Sequence, residues 1–253
     1  MARQARKKSS TGIYHIMMRS INRKRIFKDQ ADYTRFIQTM KKYKETSGYR
    51  IYAYCLMGNH VHLLLKVGKE PLEQVMRRIC GSFVYWYNLK YQRIGNLFQD
   101  RFKSEPIEND KYFLTVLRYI HQNPLKAGLV KSIEDYQWSS IGEYSNSSKF
   151  VFTDFALQMF DADPKEAVKS FIQFCNAVSD DDCLDIEDKR QLSDAEATDL
   201  IKNVCKVINV SDIKNLDKTT RNEYLRQLKK EYHLSIRQIE RLTGINRGVV
   251  LNA

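Results

Sequence analysis

Two periods of apolar residues organise the first 150 residues. Alternating stretches rich in β-branched and aromatic residues predict strands, and apolar positions three and four apart predict helices. "GIYHIMMRS", residues 12–20, reads as a strand, and the basic loop "NRKRIFKD" follows it. Residues 29–48 read as a helix: Phe36, Met40 and Tyr43 share a face, and Gly48 sits just past the end. "YRIYAYCLMGNHVHLLLKV", residues 49–67, is too long for one strand. Gly58-Asn59 is a turn signal, so the segment predicts a hairpin. Residues 70–93 form a second helical pattern and residues 94–107 a loop with a short strand. Residues 109–130 form a third helix, capped by Asn109 or Asp110 and stopped by Pro124. The order β-α-β-β-α-β-α predicts an α+β fold, a ferredoxin-like antiparallel sheet with helices on one face.

Beyond residue 150 the pattern changes to an all-α region. Residues 153–178 read as two short helices, and residues 179–197 as an acidic linker. A helical pattern returns from Thr219 to Ala253. In "LSIRQIERLTGINRGVV", residues 234–250, Ser235 caps a helix, Ile239 and Leu242 face inward, Gly244 makes a turn and Asn246 caps the next helix. That is the pattern of a helix-turn-helix. The plainer reading is a helical hairpin, and the second helix is cut short at Ala253. The predicted organisation is thus a domain over 1–150, a helical and acidic connector over 151–204, and a helix-turn-helix-like DNA-binding region over 205–253.

Charge sharpens this division. The 253 residues carry a formal net charge of +12. Residues 1–150 hold 27 Lys and Arg against 12 Asp and Glu, residues 151–200 hold 4 against 13, and residues 201–253 hold 11 against 5. Two basic blocks around an acidic one predict two regions facing an anionic partner such as nucleic acid. The five cysteines are odd in number and form no C-x-x-C pair. That argues against a zinc ribbon or a disulfide framework and suits a reducing, cytoplasmic location. The basic N-terminus lacks the apolar core of a secretory signal, and no apolar run reaches membrane-spanning length, so no membrane partner is expected.

The candidate chemistry begins at "GNHVHLLLKV", residues 58–67. On a strand, His60 and His62 point to the same face with Val61 opposite. The bland reading is a solvated sheet face; the apolar flanks favour a site, because buried imidazoles need partners. In "RYIHQNP", Tyr119 and Asn123 are four apart and share a helix face, whereas His121 points away. His15 on the first strand either approaches the site or packs, with packing or DNA contact favoured over ligation. Gln99, Arg101 and Lys103 alternate along an extended segment and either line a DNA groove or form a solvated edge. Phe83, Tyr85, Trp86 and Tyr87 read first as core.

Taken together, "CLMGNHVHLLL", "GNLFQDRFKS", "YIHQNPLKAGLV" and "DYQWSS", preceded by "YHIMMRSINRKRIF", resemble the single-tyrosine HUH transposases, especially the branch associated with repetitive extragenic palindromes. The resemblance spans roughly residues 12–145, with the blocks in the right order; Gly58 and Ser20 depart from the usual pattern. It implies that His60 and His62 bind a divalent metal, Mg²⁺ or Mn²⁺. Asn123 stands where relatives supply a third polar ligand. Tyr119 would attack the scissile phosphate of single-stranded DNA beside a hairpin, forming a 5′-phosphotyrosine and releasing a 3′-hydroxyl. Arg23, Lys24 and Arg25 would contact phosphates. A mixed His and Asn set suits Mg²⁺ or Mn²⁺ better than a Cys-rich zinc site would. The implied function is a metal-dependent single-stranded DNA endonuclease and strand transferase, with single-stranded or hairpin DNA as partner and a homodimer left open. The alternative is a non-catalytic, domesticated hairpin-binding protein on the same fold. A metal hydrolase of another fold would need further ligands, and His15, His121 and His233 are scattered in sequence.

Overall fold

The computed structural model describes residues 6–146, 150–179, 181, 183, 184, 192–232 and 234–253. Four strands, β1 (Ile13–Arg19), β2 (Arg50–Leu56), β3 (His60–Lys66) and β4 (Lys103–Ile107), form one antiparallel sheet in the order β2-β3-β1-β4. Helix α1 (Gln30–Ser47) links β1 to β2, α2 (Leu72–Lys90) links β3 to β4, and α3 (Asp110–Lys126) follows β4. This is the expected ferredoxin-like order. Gly48 closes α1 in the left-handed region at φ 68°, where an L side chain is strained. Asp29 opens the same helix with a reciprocal capping box to Asp32.

Helices α1 and α2 cover one sheet face. Phe36 and Phe83 meet at 5.0 Å between centroids, and Cys80 Sγ of α2 lies 3.2 Å from Met18 Sδ. Helix α3 packs on the opposite face, with Tyr119 against His62. The expectation of helices on one face therefore holds for α1 and α2, and α3 adds a cover on the other. The reason lies in the strands. All seven β1 residues are buried, as are Val61 to Leu65 of β3, so both faces are shielded from water. The unbroken Leu63-Leu64-Leu65 run is the mark of a doubly buried strand.

Pro124 does not stop α3, which runs on to Lys126. The missing amide costs one hydrogen bond, and in the last turn few bonds follow it. Burial of Pro124, the Ala127 N–H bond to Asn123 O and the Leu129 N–H bond to Pro124 O hold the turn together.

Two compact units divide the chain, residues 1–185 and 186–253. The division falls at neither 150 nor 204. Beyond α4 (Ile141–Ser145), α5 (Asp154–Leu157) and α6 (Pro164–Asn176) join the first core. Phe155 packs on Tyr52 and Phe113, and Phe171 and Cys175 are fully buried. The two short helices were expected, but they complete the first core instead of forming a connector. The acidic stretch ends inside α7 (Asp194–Cys205), which Ser193 caps; residues 180, 182 and 185–191 of it lie outside the described residues.

The second unit is all-α: α7, α8 (Lys218–Lys230), α9 (Ile236–Thr243) and α10 (Arg247–Asn252) enclose Ile201, Leu225, Leu228, Ile239 and Val250. Ser235 and Asn246 cap α9 and α10, and Gly244 turns between them at φ 65°, each where expected. No helix among the described residues is long and apolar enough to cross a membrane.

Candidate active site

Strand alternation puts His60 and His62 on the face covered by α3, together with His15, Met17 and Arg19 of the neighbouring β1; Arg19 lies opposite His60 in register, and Met17 opposite His62. His62 is completely buried, and His60 is half-buried at the rim. Tyr119 of α3 meets this cluster edge-on, its ring 5.6 Å from His62 and 5.9 Å from His15. Only 7% of Tyr119 is exposed, yet Lys126 Nζ lies 5.5 Å from its ring. One helical turn on, Asn123 Oδ1 is 3.5 Å from His60 Nε2. Tyr119, His60, His62 and Asn123, the set that the family resemblance implies, are brought together.

The hydrogen bonds orient these groups. Asn123 Nδ2 donates to Tyr119 O at 3.3 Å, which turns Oδ1 toward His60. His60 Nδ1–H donates to Asn59 Oδ1 at 2.7 Å, so its Nε2 faces Asn123 as an acceptor. Two acceptors converging at 3.5 Å call for a cation or a proton between them. Deeper in, His62 Nδ1 lies 3.1 Å from His15 Nε2, and His62 Nε2 is buried with no hydrogen-bond partner. This donor set fits a divalent cation held by two imidazoles and a carboxamide. Among the described residues no group of three or more His, Cys, Asp or Glu side chains is placed for a metal. Such an ion would therefore complete its coordination with water or phosphate oxygens, as Mg²⁺ and Mn²⁺ do.

Burial keeps His15 and His62 neutral, the form in which an imidazole ligates metals. Burial lowers the His62 pKa well below 6.5, and the charges of His15, His60 and Arg19 add to the effect. Burial alone brings His15 to about 3. His121 points away, as expected: its Nε2 is 2.8 Å from Ser140 Oγ, and its ring packs on Tyr144 and Phe171. Burial lowers it to about 3 as well. His233 lies outside the described residues.

The predicted basic residues divide between two grooves. Arg23 and Arg25 border an open cleft of about 780 Å³ that reaches His60 and Asn59 and has Tyr33, Tyr136 and Trp138 along its wall. Tyr33 and Trp138 stack at 4.4 Å, nearly parallel. Lys24 is exposed between the two arginines. The loop is tied to the hairpin turn by Ser20 N–H to Asn59 O and Ile26 N–H to Gly58 O, and Asn22 and Arg23 both adopt left-handed φ, at 52° and 54°. Arg101 and Lys103 line a second groove of about 650 Å³ with Arg6 and Lys7, beside the edge strand β4. Exposed Gln99 is outside that lining; its N–H bonds to Arg19 O. Phe83 and Tyr87 are core, as expected, whereas Tyr85 is 70% exposed.

Reading residues singly missed two features. Arg19 is buried on the histidine face, two residues beyond Met17 and four beyond His15, so period-two counting along β1 would have found it. The Tyr33–Trp138 stack joins residues far apart in sequence, and only the "DYQWSS" block marked Trp138.

Residues 8–123 match the family model described as transposase IS200-like. The chain is 30% identical over 101 residues to the REP-associated tyrosine transposase of Escherichia coli (strain K12), covering 39% of this chain and 58% of that one. It therefore spans little more than half of that relative. In fold it is similar to a solved REP-associated tyrosine transposase bound to a REP hairpin, with 22% identity and a TM-score of 0.51, over 57% of this chain and 86% of that one.

Proposed function

We propose, from the match of residues 8–123 to the IS200-like transposase family model and from the site geometry, that this chain cuts and rejoins single-stranded DNA beside hairpins. Tyr119 is the nucleophile. Its phenolate oxygen bonds to the scissile phosphorus, the P–O3′ bond breaks, and the departing oxygen takes up a proton as a 3′-hydroxyl. The 5′-phosphate stays on Tyr119. Attack by a second 3′-hydroxyl reverses the step and restores the phenol, so one phosphodiester replaces another without an external energy source. A phenol titrates near pH 10 and needs an activated target. His60, His62 and Asn123 would hold Mg²⁺ or Mn²⁺, whose chemistry is to neutralise and polarise the phosphate. Arg19, buried beside them, adds a fixed positive charge. Arg23, Lys24 and Arg25 guide the strand to the rim, and Arg101 and Lys103 hold phosphates along β4.

The observation that carries this reading is the convergence of Tyr119 with His62, His60 and Asn123 on the buried side of the sheet. The test is incubation with a labelled hairpin bearing a single-stranded flank, with Mn²⁺, followed by a denaturing gel. A covalent protein–DNA band that disappears in Tyr119→Phe supports it. Tight hairpin binding with no adduct at any metal concentration would favour a binding protein on the same fold.

A further inference from the structure

His15 is not among the groups assigned to the chemistry, yet it lies under them. Its Nε2 is 3.1 Å from His62 Nδ1, the rings stack at 5.3 Å, and both residues are 0% exposed. With no partner on its other nitrogen, each fully buried ring is a neutral imidazole carrying one hydrogen. One hydrogen occupies the bond between them, and its owner decides what the outer nitrogen of His62 presents.

If His15 donated, the hydrogen of His62 would sit on Nε2. That atom is buried and has no acceptor, and the charge of Arg19 acts on the ring. An N–H there would be stranded without an acceptor. If His62 donates, its Nε2 presents a lone pair on the face it shares with His60. The hydrogen left over then sits on His15 Nδ1, which also has no partner, but on the ring that does no chemistry. The number of unmatched atoms is the same in both arrangements; only the second leaves a ligand.

We propose that His15 is a positioning residue that accepts the Nδ1 hydrogen of His62 and so locks His62 in the tautomer whose Nε2 is free to ligate. It plays the part that a carboxylate or carbonyl behind a ligating histidine plays elsewhere. Free histidine favours the opposite tautomer, so without this acceptor His62 drifts to the Nε2–H form. The ligating role of His62 and the choice between the two tautomers rest on the proposed function; the 3.1 Å contact between the rings does not.

Two measurements test it. Long-range ¹H–¹⁵N NMR of histidine-labelled full-length protein without metal reads the tautomer directly, and His62 is expected in the Nδ1–H form. An Nε2–H signature overturns the proposal whatever the variants do. Mn²⁺ titration followed by electron paramagnetic resonance then compares His15→Phe, which keeps the ring but has no acceptor, with His15→Gln, whose amide oxygen reaches a similar place. His15→Phe is expected to bind Mn²⁺ roughly 10–100-fold more weakly, with His62 moved toward the Nε2–H form. His15→Gln should stay within about threefold of wild type. Equal affinities for wild type and His15→Phe, or a Gln variant no better than Phe, overturn it. A wild type that binds no Mn²⁺ but has His62 in the Nδ1–H form refutes the metal reading of the site and leaves the hydrogen-bond assignment standing.

Discussion

The two units are built on opposite plans. Residues 1–185 bury the candidate site: His62, His15 and His121 are fully buried and Arg19 and Tyr119 nearly so, on strands β1 and β3 and on helix α3. Among the described residues of 186–253 the buried side chains are apolar apart from Gln238 and Thr243, and Arg237, Arg241 and Arg247 are exposed to solvent. Reactive groups gain from an interior because water is excluded and each atom has one place to be. Phosphate contacts gain from a surface, because a mobile cation still attracts an anion. If this contrast is functional, changes in the first unit alter chemistry and changes in the second alter affinity.

The largest expected effect comes from a single oxygen. Tyr119→Phe should reduce cleavage by about 10³-fold or more, because the nucleophile is gone. Hairpin affinity should stay within about threefold, because the ring and its contacts with His62 and His15 remain. Residual cutting by the Phe variant near the wild-type rate would move the nucleophile elsewhere. His62→Ala should approach the same loss of cutting and also lose Mn²⁺ binding, and chelation by EDTA should reproduce it. Full activity in excess EDTA would remove the metal from the mechanism.

Acid should separate the units next. His15 and His121 titrate at about 3 when folded, against 6.5 for an exposed histidine. The unfolded chain therefore binds more protons than the native one between those values. Stability from these groups is complete above pH 6.5 and is lost as pH falls toward 3, by roughly 2–3 kcal/mol for each histidine at pH 4.5. No buried histidine is present among the described residues of the second unit. Hydrogen exchange at pH 7 and pH 4.5 should show protection collapsing first in β1, β3 and α3. Uniform loss across both units would mean that the histidines do not govern acid sensitivity. His121→Phe, which keeps the contacts with Tyr144 and Phe171, should make the decline shallower.

What was legible in the sequence follows the same division. Strong local signals gave the hairpin at Gly58-Asn59, the cap at Gly48 and the α9–α10 turn at Gly244, because a turn is specified by the residues within it. The pairing of His60 with His62, and of Tyr119 with Asn123, followed from period two and period 3.6 alone. Local rules failed where tertiary packing decides. Pro124 reads as a stop, yet burial carries α3 through it. Residues 154–176 look too short and too acidic in their flanks to be core, yet Phe155 and Phe171 close the far side of the first unit. The proximity of His15 to His62 depends on the β1–β3 register, which no stretch of either strand contains.

Basic side chains at the rim should have moderate effects. Arg25→Ala should weaken binding of a flanked hairpin by about three- to tenfold and lower the slope of log affinity against log salt by about one, the signature of one lost phosphate contact. Cutting at saturating DNA should change much less. A variant with unchanged affinity and slope would show that the cleft beside His60 does not take the strand.

The smallest expected effect on chemistry belongs to the second unit. Residues 186–253 carry 13 Lys and Arg against 10 Asp and Glu, so their net charge is slight and their influence depends on where the cations stand. Arg237 on α9 and Arg247 on α10 are both exposed, at the two helices of the helix-turn-helix pattern. Arg237→Ala with Arg247→Ala should leave single-turnover cleavage of a bound hairpin within about twofold, since every residue assigned to the reaction lies in the first unit. Affinity for duplex next to the hairpin should fall by roughly 1–2 kcal/mol if the two arginines contact phosphates or bases. Unchanged affinity would make the second unit an ordinary helical hairpin without a DNA-binding role. A large loss of cutting at saturating DNA, with the fold intact by circular dichroism, would break the comparison: the second unit would then build or regulate the active site, and interior chemistry could not be separated from surface affinity.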